Sequence, residues 1–504
     1  MSVAFNGVDN TFVAKSGAGM VLAFVGRSRR GPTQESDGDP LTLASEPDVD
    51  RHIGLGTSTY ITPGILKYAI GKGAQIKYYR VIAAGGVAAF RVLVDAGALN
   101  CLRIEAVNAG VWGNLVTVTI AADPSGDATL FSLTTAFSEQ PGLGETYYNL
   151  SMDPTKANFV ENVINGIDPL IKATALTAVV PANVGPVALA AGAASDTVTA
   201  ANYQARLALF ASERYITQLA SDSGDGEVWA DQAAYALTRK TFREIFSVPF
   251  GYTSTLAALF RQGSGGYGHE YVDNSYTSLY WGDVKDKRNG SGAPVAEWCH
   301  PLVLGQIALQ MATGMPWYAV AGAKRGKIQV GLGMVENVLD KPAYDTLTGI
   351  EVNPIVTDTD LDTTAKITKI AESLTCQRAR SKARFAEIRE GVCWIRRRFL
   401  YHAQAIDFDP NEPEAWRQLY LLMKKDLDFM GSNRGLSGQE TIGWQYVGDQ
   451  EAINKDQATH NSQEELAKGN YTVDLYLSTV PGIRNITLNT ILTESSAQFS
   501  EEVL

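Results

Sequence analysis

The chain has 504 residues, of which 45% are hydrophobic and 19% are charged. This composition is typical of a well-packed soluble protein, and the length exceeds what one core supports, so we expect several folded units. The net charge of -11 argues against a protein that wraps nucleic acid, because such a protein needs a basic face to neutralise phosphates.

The first residues, Met1 to Thr11, have neither a basic start nor an apolar run, which predicts no targeting segment. An uncharged stretch from Ala173 to Ser195 has the length of a membrane span. Pro181 and Pro186 interrupt it, so we expect strands and loops there and a soluble, cytoplasmic product. The four cysteines form no disulfide framework, and we expect buried free thiols.

The first half of the chain predicts an α/β unit followed by a β-rich insertion. An apolar run, Gly19–Gly26, predicts a buried strand, and Pro63–Ile70 and Gln75–Ile82 predict a helix and a second strand. Short apolar runs separated by turn residues then predict strands, and Asp153-Pro154 predicts the start of a helix. These strands are Phe90–Val94, Leu102–Val107, Leu115–Ile120 and Leu130–Leu133.

The second half predicts further helices. They cover Asn202–Leu219, Val228–Phe246, Leu302–Met311, Thr363–Ala386 and Pro413–Met430. Apolar residues at helical spacing indicate the fourth of these helices, and charge placement at both ends indicates the fifth. Two strands are expected as well, one after Arg396–Leu400 and one over the alternating segment Tyr471–Leu477.

Catalytic motifs are scarce. The five histidines form no H-x-x-x-H pair, and Cys299 and His300 are neighbours in sequence, which usually point apart. The segment Gly263–Gly268 formally matches G-x-G-x-x-G but lacks the preceding strand and following helix that a dinucleotide site needs. We therefore predict no catalytic, cofactor-binding or metal-binding residues, and no cofactor.

A basic run extends from Arg378 to Arg398 and is flanked by acidic clusters. Nucleic-acid binding and a solvated charged face are two interpretations. The third, which we favour, is that the opposite charges complement each other across a repeating interface between subunits. The candidate contacts are Arg380, Arg384, Asp358 and Asp360.

Several segments, taken in order along the chain, resemble the contractile phage tail sheath family. They are Ala23–Pro32, Gly73–Val81, Ala106–Asn114, Phe408–Trp416, Gly469–Leu477 and Val480–Ile483. The sharpest match is the Gly-x-Trp-Gly-Asn signature at residues 110–114. The family's Trp-Gly-x-Arg-Thr segment is replaced by Gly391–Arg396, and residues 125–345 match little of the family pattern.

The resemblance implies a multidomain fold of mixed α/β and β structure. An α/β C-terminal sheath domain with N-terminal strands would carry inserted β-rich and α/β domains. The implied division is an extended arm (1–19), part of the α/β core (20–85), a β-rich insertion (86–200), a subtilisin-like middle domain without its triad (201–345), the C-terminal sheath domain (346–483) and a second arm (484–504).

The resemblance also implies a non-enzymatic function. Subunits would form a helical homo-oligomer around a tail tube and contract by rigid-body rearrangement, which drives the tube through the host envelope for genome ejection. Expected partners are further copies of the chain, the tail tube protein, and baseplate and tail terminator proteins, with no nucleic acid and no direct membrane insertion. The protein would be part of the virion tail, assembled in the host cytoplasm.

Two sets of residues would make the contacts that this function needs. The terminal arms would add strands to neighbouring subunits through Val3, Phe5, Val8, Phe12, Ile486, Leu488, Ile491 and Leu492; frayed tails are the alternative. The helix near Pro413–Met430 would face the tube through Lys424, Lys425, Asp426 and Asp428, unless it is buried.

Three other functions stay open from the sequence. The chain could form the sheath of a bacteriocin or secretion-type contractile injection system. It could be an inner tube or another virion protein, although tube proteins are usually smaller. It could also be a subtilisin-like hydrolase, which would require a His, an Asp and a Ser paired in one pocket.

Overall fold

In a computed structural model of the protein, the structure describes most of the chain between residues 19 and 482. The described ranges are 19–33, 40–57, 59–83, 85–194, 197–264, 266–267, 269–286, 295–328, 339–359, 366–407, 409–437, 443–447, 467–468 and 471–482. The side chains proposed for the two arms and the carboxylate of Asp360 lie outside these ranges.

The described secondary structure includes β-strands and α-helices along the whole of the described chain. The strands are β1 (Val21–Gly26), β2 (Leu41–Leu43), β3 (Gln75–Arg80), β4 (Phe90–Val94), β5 (Asn100–Ala106), β6 (Val116–Ala122), β7 (Leu130–Phe137), β8 (Thr146–Ser151), β9 (Ile171–Ala175), β10 (Val184–Ala188), β11 (Gln218–Ser221), β12 (Arg243–Ser247), β13 (Thr277–Trp281), β14 (Val284–Asp286), β15 (Val295–Glu297), β16 (Val352–Thr359), β17 (Lys366–Ile370), β18 (Trp444–Val447) and β19 (Asp474–Leu477). The α-helices are α1 (Glu46–His52), α2 (Thr62–Ile70), α3 (Val160–Ile164), α4 (Ala200–Ala208), α5 (Gly226–Arg239), α6 (Ser254–Arg261), α7 (His300–Ala312), α8 (Gly322–Arg325), α9 (Lys341–Gly349), α10 (Ala386–Ala403) and α11 (Pro413–Ser432).

An eight-stranded sheet forms the centre of the fold, in the order β17-β16-β13-β12-β11-β1-β3-β2. The six inner strands are parallel, and the two edge strands β2 and β17 pair antiparallel to their neighbours. Helices cover both faces, so β1 is buried along its whole length. Leu22 and Phe24 pack towards α2 and α7, whereas Ala23 and Val25 pack towards α4 and α5.

Residues 86–194, inserted between β3 and α4, form two antiparallel sheets. Their orders are β10-β6-β7-β8 and β4-β5-β9, and they share one apolar core. The four strands predicted in this region are confirmed. The helix predicted to start at Asp153 is wrong, because the Asp153 carboxylate accepts a hydrogen bond from the backbone N–H of Thr155 and closes a turn; the helix of this region, α3, begins at Val160.

The C-terminal part packs α10 and α11 against the two-stranded sheet β18–β19. Two predictions here are wrong. The helix expected over Thr363–Ala386 is instead the edge strand β17 followed by irregular chain, because Lys366–Ile370 pairs with Ile355–Thr359 of β16. The region of Arg396–Leu400, expected to lead into a strand, lies inside α10, where Arg397 is held by Glu390 two turns earlier.

The expectation of a mixed α/β fold with several sheets is confirmed. The eight-stranded sheet, however, takes its strands from three of the segments that the sequence assigns to different domains: residues 20–85, 201–345 and 346–483. Among the described residues, no helix combines the length and apolar character needed to cross a membrane.

Candidate functional site

The small sheet β18–β19 offers edges to which another strand can be added. Its strands pair antiparallel from Trp444 opposite Leu477 to Val447 opposite Asp474. Beyond this register, Leu436 bridges to Thr479. In the described part of the chain the sheet has only these two strands, so each strand has one edge without a partner strand. Such edges bind extended peptides by main-chain hydrogen bonds.

A groove of about 480 Å³ lies between this sheet, α10, and the loop that follows α5. Its floor is apolar and is formed by Ile395, Phe399, Met423, Leu475 and Leu477. The last two side chains belong to one face of β19, because alternate residues of a strand point the same way.

Among the described residues, three cations and no carboxylate line the same groove. They are Arg239, Lys240 and Arg396. Arg239 donates to the carbonyls of Ala211 and Glu213, both at 2.7 Å, which fixes its guanidinium in place. Lys240, in a left-handed conformation (φ 61°) at the end of α5, is exposed. The groove therefore combines an apolar floor with a positively charged rim.

Helix α11 presents one face to solvent and buries the other. Leu419, Met423, Leu427 and Met430 are buried at 2% exposure or less, which is the core-facing stripe of an amphipathic helix. The opposite face consists of Glu414, Arg417, Gln418, Leu421, Leu422 and Lys425, all exposed. Leu421 is 51% exposed at its centre.

This face includes only part of the predicted tube-facing set. Lys425 is exposed, and Lys424 and Asp428 form a half-buried i,i+4 pair at 2.5 Å. Asp426 is wrongly placed in the set, because its side chain is buried and points towards α10. There it accepts hydrogen bonds from Arg398 Nε and His402 Nε2, both at 2.7 Å.

Two of the four predicted charge contacts form ion pairs within the chain. Arg384 pairs with Glu351 at 3.2 Å, and Asp358 pairs with Lys369 at 2.5 Å. Arg380 is exposed, and no ion pair of the described residues includes it. Of the three described candidates, Arg380 is therefore the best placed for a contact with another molecule.

A serine and a histidine meet, but not in the way a hydrolase needs. Ser247 Oγ lies 3.0 Å from His300 Nδ1, at the end of β12 and the start of α7. Both side chains are fully buried, and Trp298 stacks on the imidazole. Burial lowers the pKa of His300 to about 3, which keeps it neutral at pH 7. A substrate has no access to this pair, and no described carboxylate is hydrogen-bonded to His300.

The Gly-x-Trp-Gly-Asn segment joins the insertion to the central sheet. Trp112 is 1% exposed, and its ring lies 5.7 Å from the guanidinium carbon of Arg30, whose other aromatic neighbour is Phe137 at 5.3 Å. Arg30 also donates to Gln140 Oε1 at 2.7 Å, and burial lowers its pKa to about 10. A side chain at Gly113 would come within 2.8 Å of Ala106, so only glycine fits there.

Sequence reasoning missed this contact. Arg30 and Trp112 lie in two of the segments that carry the family resemblance. Their presence in these two segments was the one indication in the sequence of a contact between them. Their contact orients the insertion relative to the sheet, since the cation is enclosed between aromatic rings of the other region.

Neither a family model nor a curated protein matches the sequence. Solved structures are similar in fold. The sheath tail protein of Listeria innocua aligns with a TM-score of 0.60 at 11% identity, covering 93% of this chain and 98% of that chain. The helical sheath of the anti-feeding prophage in its contracted state aligns with a TM-score of 0.54 at 12% identity, covering 97% and 99%.

A third solved structure has a similar fold. The sheath tail protein of Desulfitobacterium hafniense aligns with a TM-score of 0.53 at 13% identity, covering 86% of this chain and 93% of that chain. The three alignments cover 86% to 97% of this chain and 93% to 99% of the other chains. The chain has the fold of tail sheath proteins.

Proposed function

We propose that this chain is the structural subunit of a contractile tail sheath, that it polymerises as a helix around a tail tube, and that it is not an enzyme. The observation that carries the proposal is the likeness to a helical sheath over 97% of this chain. Burial of Ser247 and His300 argues against the hydrolase alternative.

Strand exchange would connect the subunits. The sheet β18–β19 has open edges among the described residues, and the alternating apolar residues of segments 1–19 and 484–504 are suited to pair with them. A heterologous contact of this kind does not close on itself and generates a filament. The arms would remain paired while the subunits rearrange as rigid bodies during contraction.

The exposed face of α11 is the proposed contact with the tube. Lys425, Asp428 and Lys424 would contribute to it, joined by Leu421 and Gln418, while Asp426 would act only inside the subunit. The arrangement of an α/β sheath core carrying a β-rich insertion and a middle region is likewise proposed, with the boundaries given above. Baseplate and terminator proteins would cap the two ends of the assembly in a virion tail.

A contractile injection system other than a phage is the second candidate, favoured by the likeness to the anti-feeding prophage sheath. Neighbouring genes separate the two: capsid and terminase genes indicate a phage.

The test of the proposal is assembly of the purified chain. Negative-stain electron microscopy should show tubes or helical fragments of the full chain, with or without tube protein. A variant lacking residues 1–15 should remain unassembled while its circular dichroism spectrum is unchanged. A full chain that stays monomeric in all conditions, including with tube protein, would refute the sheath function.

A further inference from the structure

We infer that the groove between α10 and the sheet β18–β19 binds residues 494–504 of a neighbouring copy of this chain. The inference rests on the proposed function, because exchange of the arm at 484–493 would carry the following residues to the neighbour. The occupant is identified by its charge and by its apolar side chains.

Charge selects this segment over the other terminus. Of the described residues that line the groove, three are cations and none carries a carboxylate. Residues 494–504 contain three acidic residues, Glu494, Glu501 and Glu502, and no basic residue. Residues 1–15 contain one of each, Asp9 and Lys15, and so carry no net charge to match the rim. Complementary charge of this size steers association and rejects competing partners.

The apolar side chains of residues 494–504 also match the apolar lining of the groove. Leu400 also lines the groove and is 43% exposed, whereas Ile395 in the same lining is buried. The segment supplies Phe499, Val503 and Leu504 within six residues. Aromatic and aliphatic anchors in a concave apolar site, surrounded by polar contacts, are the usual composition of a peptide-binding groove.

The rim is built to receive carboxylates. Arg396 donates through Nη1 to Tyr276 Oη at 2.5 Å and to the carbonyl of Lys240 at 3.3 Å, which orients its guanidinium at the groove. Lys240 stands beside it on an exposed turn. Two adjacent acidic residues, Glu501 and Glu502, would meet two adjacent cations, and charge-assisted hydrogen bonds of this type are the strong ones.

Disulfide cross-linking between two full-length variants tests the inference. Leu400→Cys places a thiol in the groove of one copy, and Phe499→Cys places one in the segment of another, tagged, copy. After the two are mixed and assembled, non-reducing electrophoresis should show a dimer that contains both variants. The matched control is Leu256→Cys, which is 38% exposed on α6 and does not line the groove; it should give at least tenfold less dimer.

A charge reversal tests the rim. Lys240→Glu with Arg396→Glu should lower the dimer yield at least tenfold, and Glu501→Lys with Glu502→Lys should restore it. Lys156→Glu, which reverses an exposed charge in the insertion and outside the groove, should leave the yield unchanged. If the groove variant fails to fold, Glu501→Lys with Glu502→Lys alone, which leaves residues 19–482 unaltered, should still lower the yield.

The outcomes separate this inference from the proposed function. Tubes without the Leu400→Cys to Phe499→Cys dimer would overturn the inference and leave the sheath function standing. In a third variant, one chain carries both Leu400→Cys and Phe499→Cys. A disulfide that forms only within that chain, and not between two chains, would overturn the assignment to a neighbouring copy. Absence of both tubes and dimer would overturn the inference and the proposed function together.

Discussion

Replacing Asp426 by alanine tests whether the contact between α10 and α11 holds the proposed tube-facing helix in place. The carboxylate accepts hydrogen bonds from Arg398 at 2.7 and 3.1 Å and from His402 at 2.7 Å. Removing one partner of a buried ion pair costs roughly 3–5 kcal/mol. The Arg398 side chain is 18% exposed, so water can solvate it after the carboxylate is removed. We therefore expect a loss at the lower end of this range, about 3 kcal/mol.

Hydrogen exchange of the α11 amides measures this loss directly. A decrease of about 3 kcal/mol in the free energy of local opening corresponds to roughly 100-fold faster exchange across Pro413–Ser432. The matched control is Asp428→Ala two residues further on, which removes only a half-exposed pair with Lys424 and should change exchange little. Equal exchange rates in the two variants would refute the reasoning.

The same carboxylate predicts a pH dependence. Burial alone would raise the pKa of Asp426, but hydrogen bonds from His402 and Arg398 outweigh it and lower the pKa below its ordinary value. A depressed carboxylate pKa stabilises the folded state above the unfolded pKa, and that stability is lost as pH falls through the folded pKa. The α11 amides should therefore lose protection below about pH 4 in the wild type, and this additional loss should be absent in Asp426→Ala.

Two further predictions concern the insertion and the central sheet. Trp112→Ala should destabilise the insertion by roughly 3–5 kcal/mol, since it removes a large side chain that is 1% exposed and opens the cage around Arg30; denaturant unfolding should detect it, and Tyr148→Ala, at 57% exposure, should have little effect. The pKa of His300 is lowered to about 3 in the folded chain. Between about pH 6.5 and pH 3 the unfolded chain therefore binds a proton that the folded chain does not. As the pH is lowered through this window, the free energy of unfolding should decrease by about 1.4 kcal/mol per pH unit. A His300→Asn variant should show a correspondingly flatter profile over this range, and an unchanged slope would contradict the burial argument.

Local patterns were sufficient for the elements whose apolar spacing is unambiguous. The predicted strand Gly19–Gly26 and helices Pro63–Ile70, Leu302–Met311 and Pro413–Met430 are present within a few residues of their predicted bounds. Each signal is carried by neighbouring residues, by a run of apolar side chains, a proline at the start or charges at the ends, so no distant partner was needed.

The burial of Asp426 could also have been inferred from the sequence, although the prediction placed this residue on the exposed face of α11. Leu419, Met423, Asp426 and Met430 follow each other at spacings of three and four, which puts the carboxylate on the apolar stripe of α11. A charged residue in such a stripe indicates a buried partner. The identity of that partner, Arg398 on another helix, could not be inferred.

Composition and local spacing by themselves determined that the chain is a multi-unit α/β protein, and short ordered motifs determined the family it resembles. Only the tertiary structure decided that residues 366–370 form a strand, because Ile367 and Ile370 fit a helix as well as an edge strand until β16 offers hydrogen bonds. Only the tertiary structure brought Arg30 to Trp112 and placed three cations around one groove. These contacts join residues far apart in the chain, and their energies depend on burial and on partners that no local window contains.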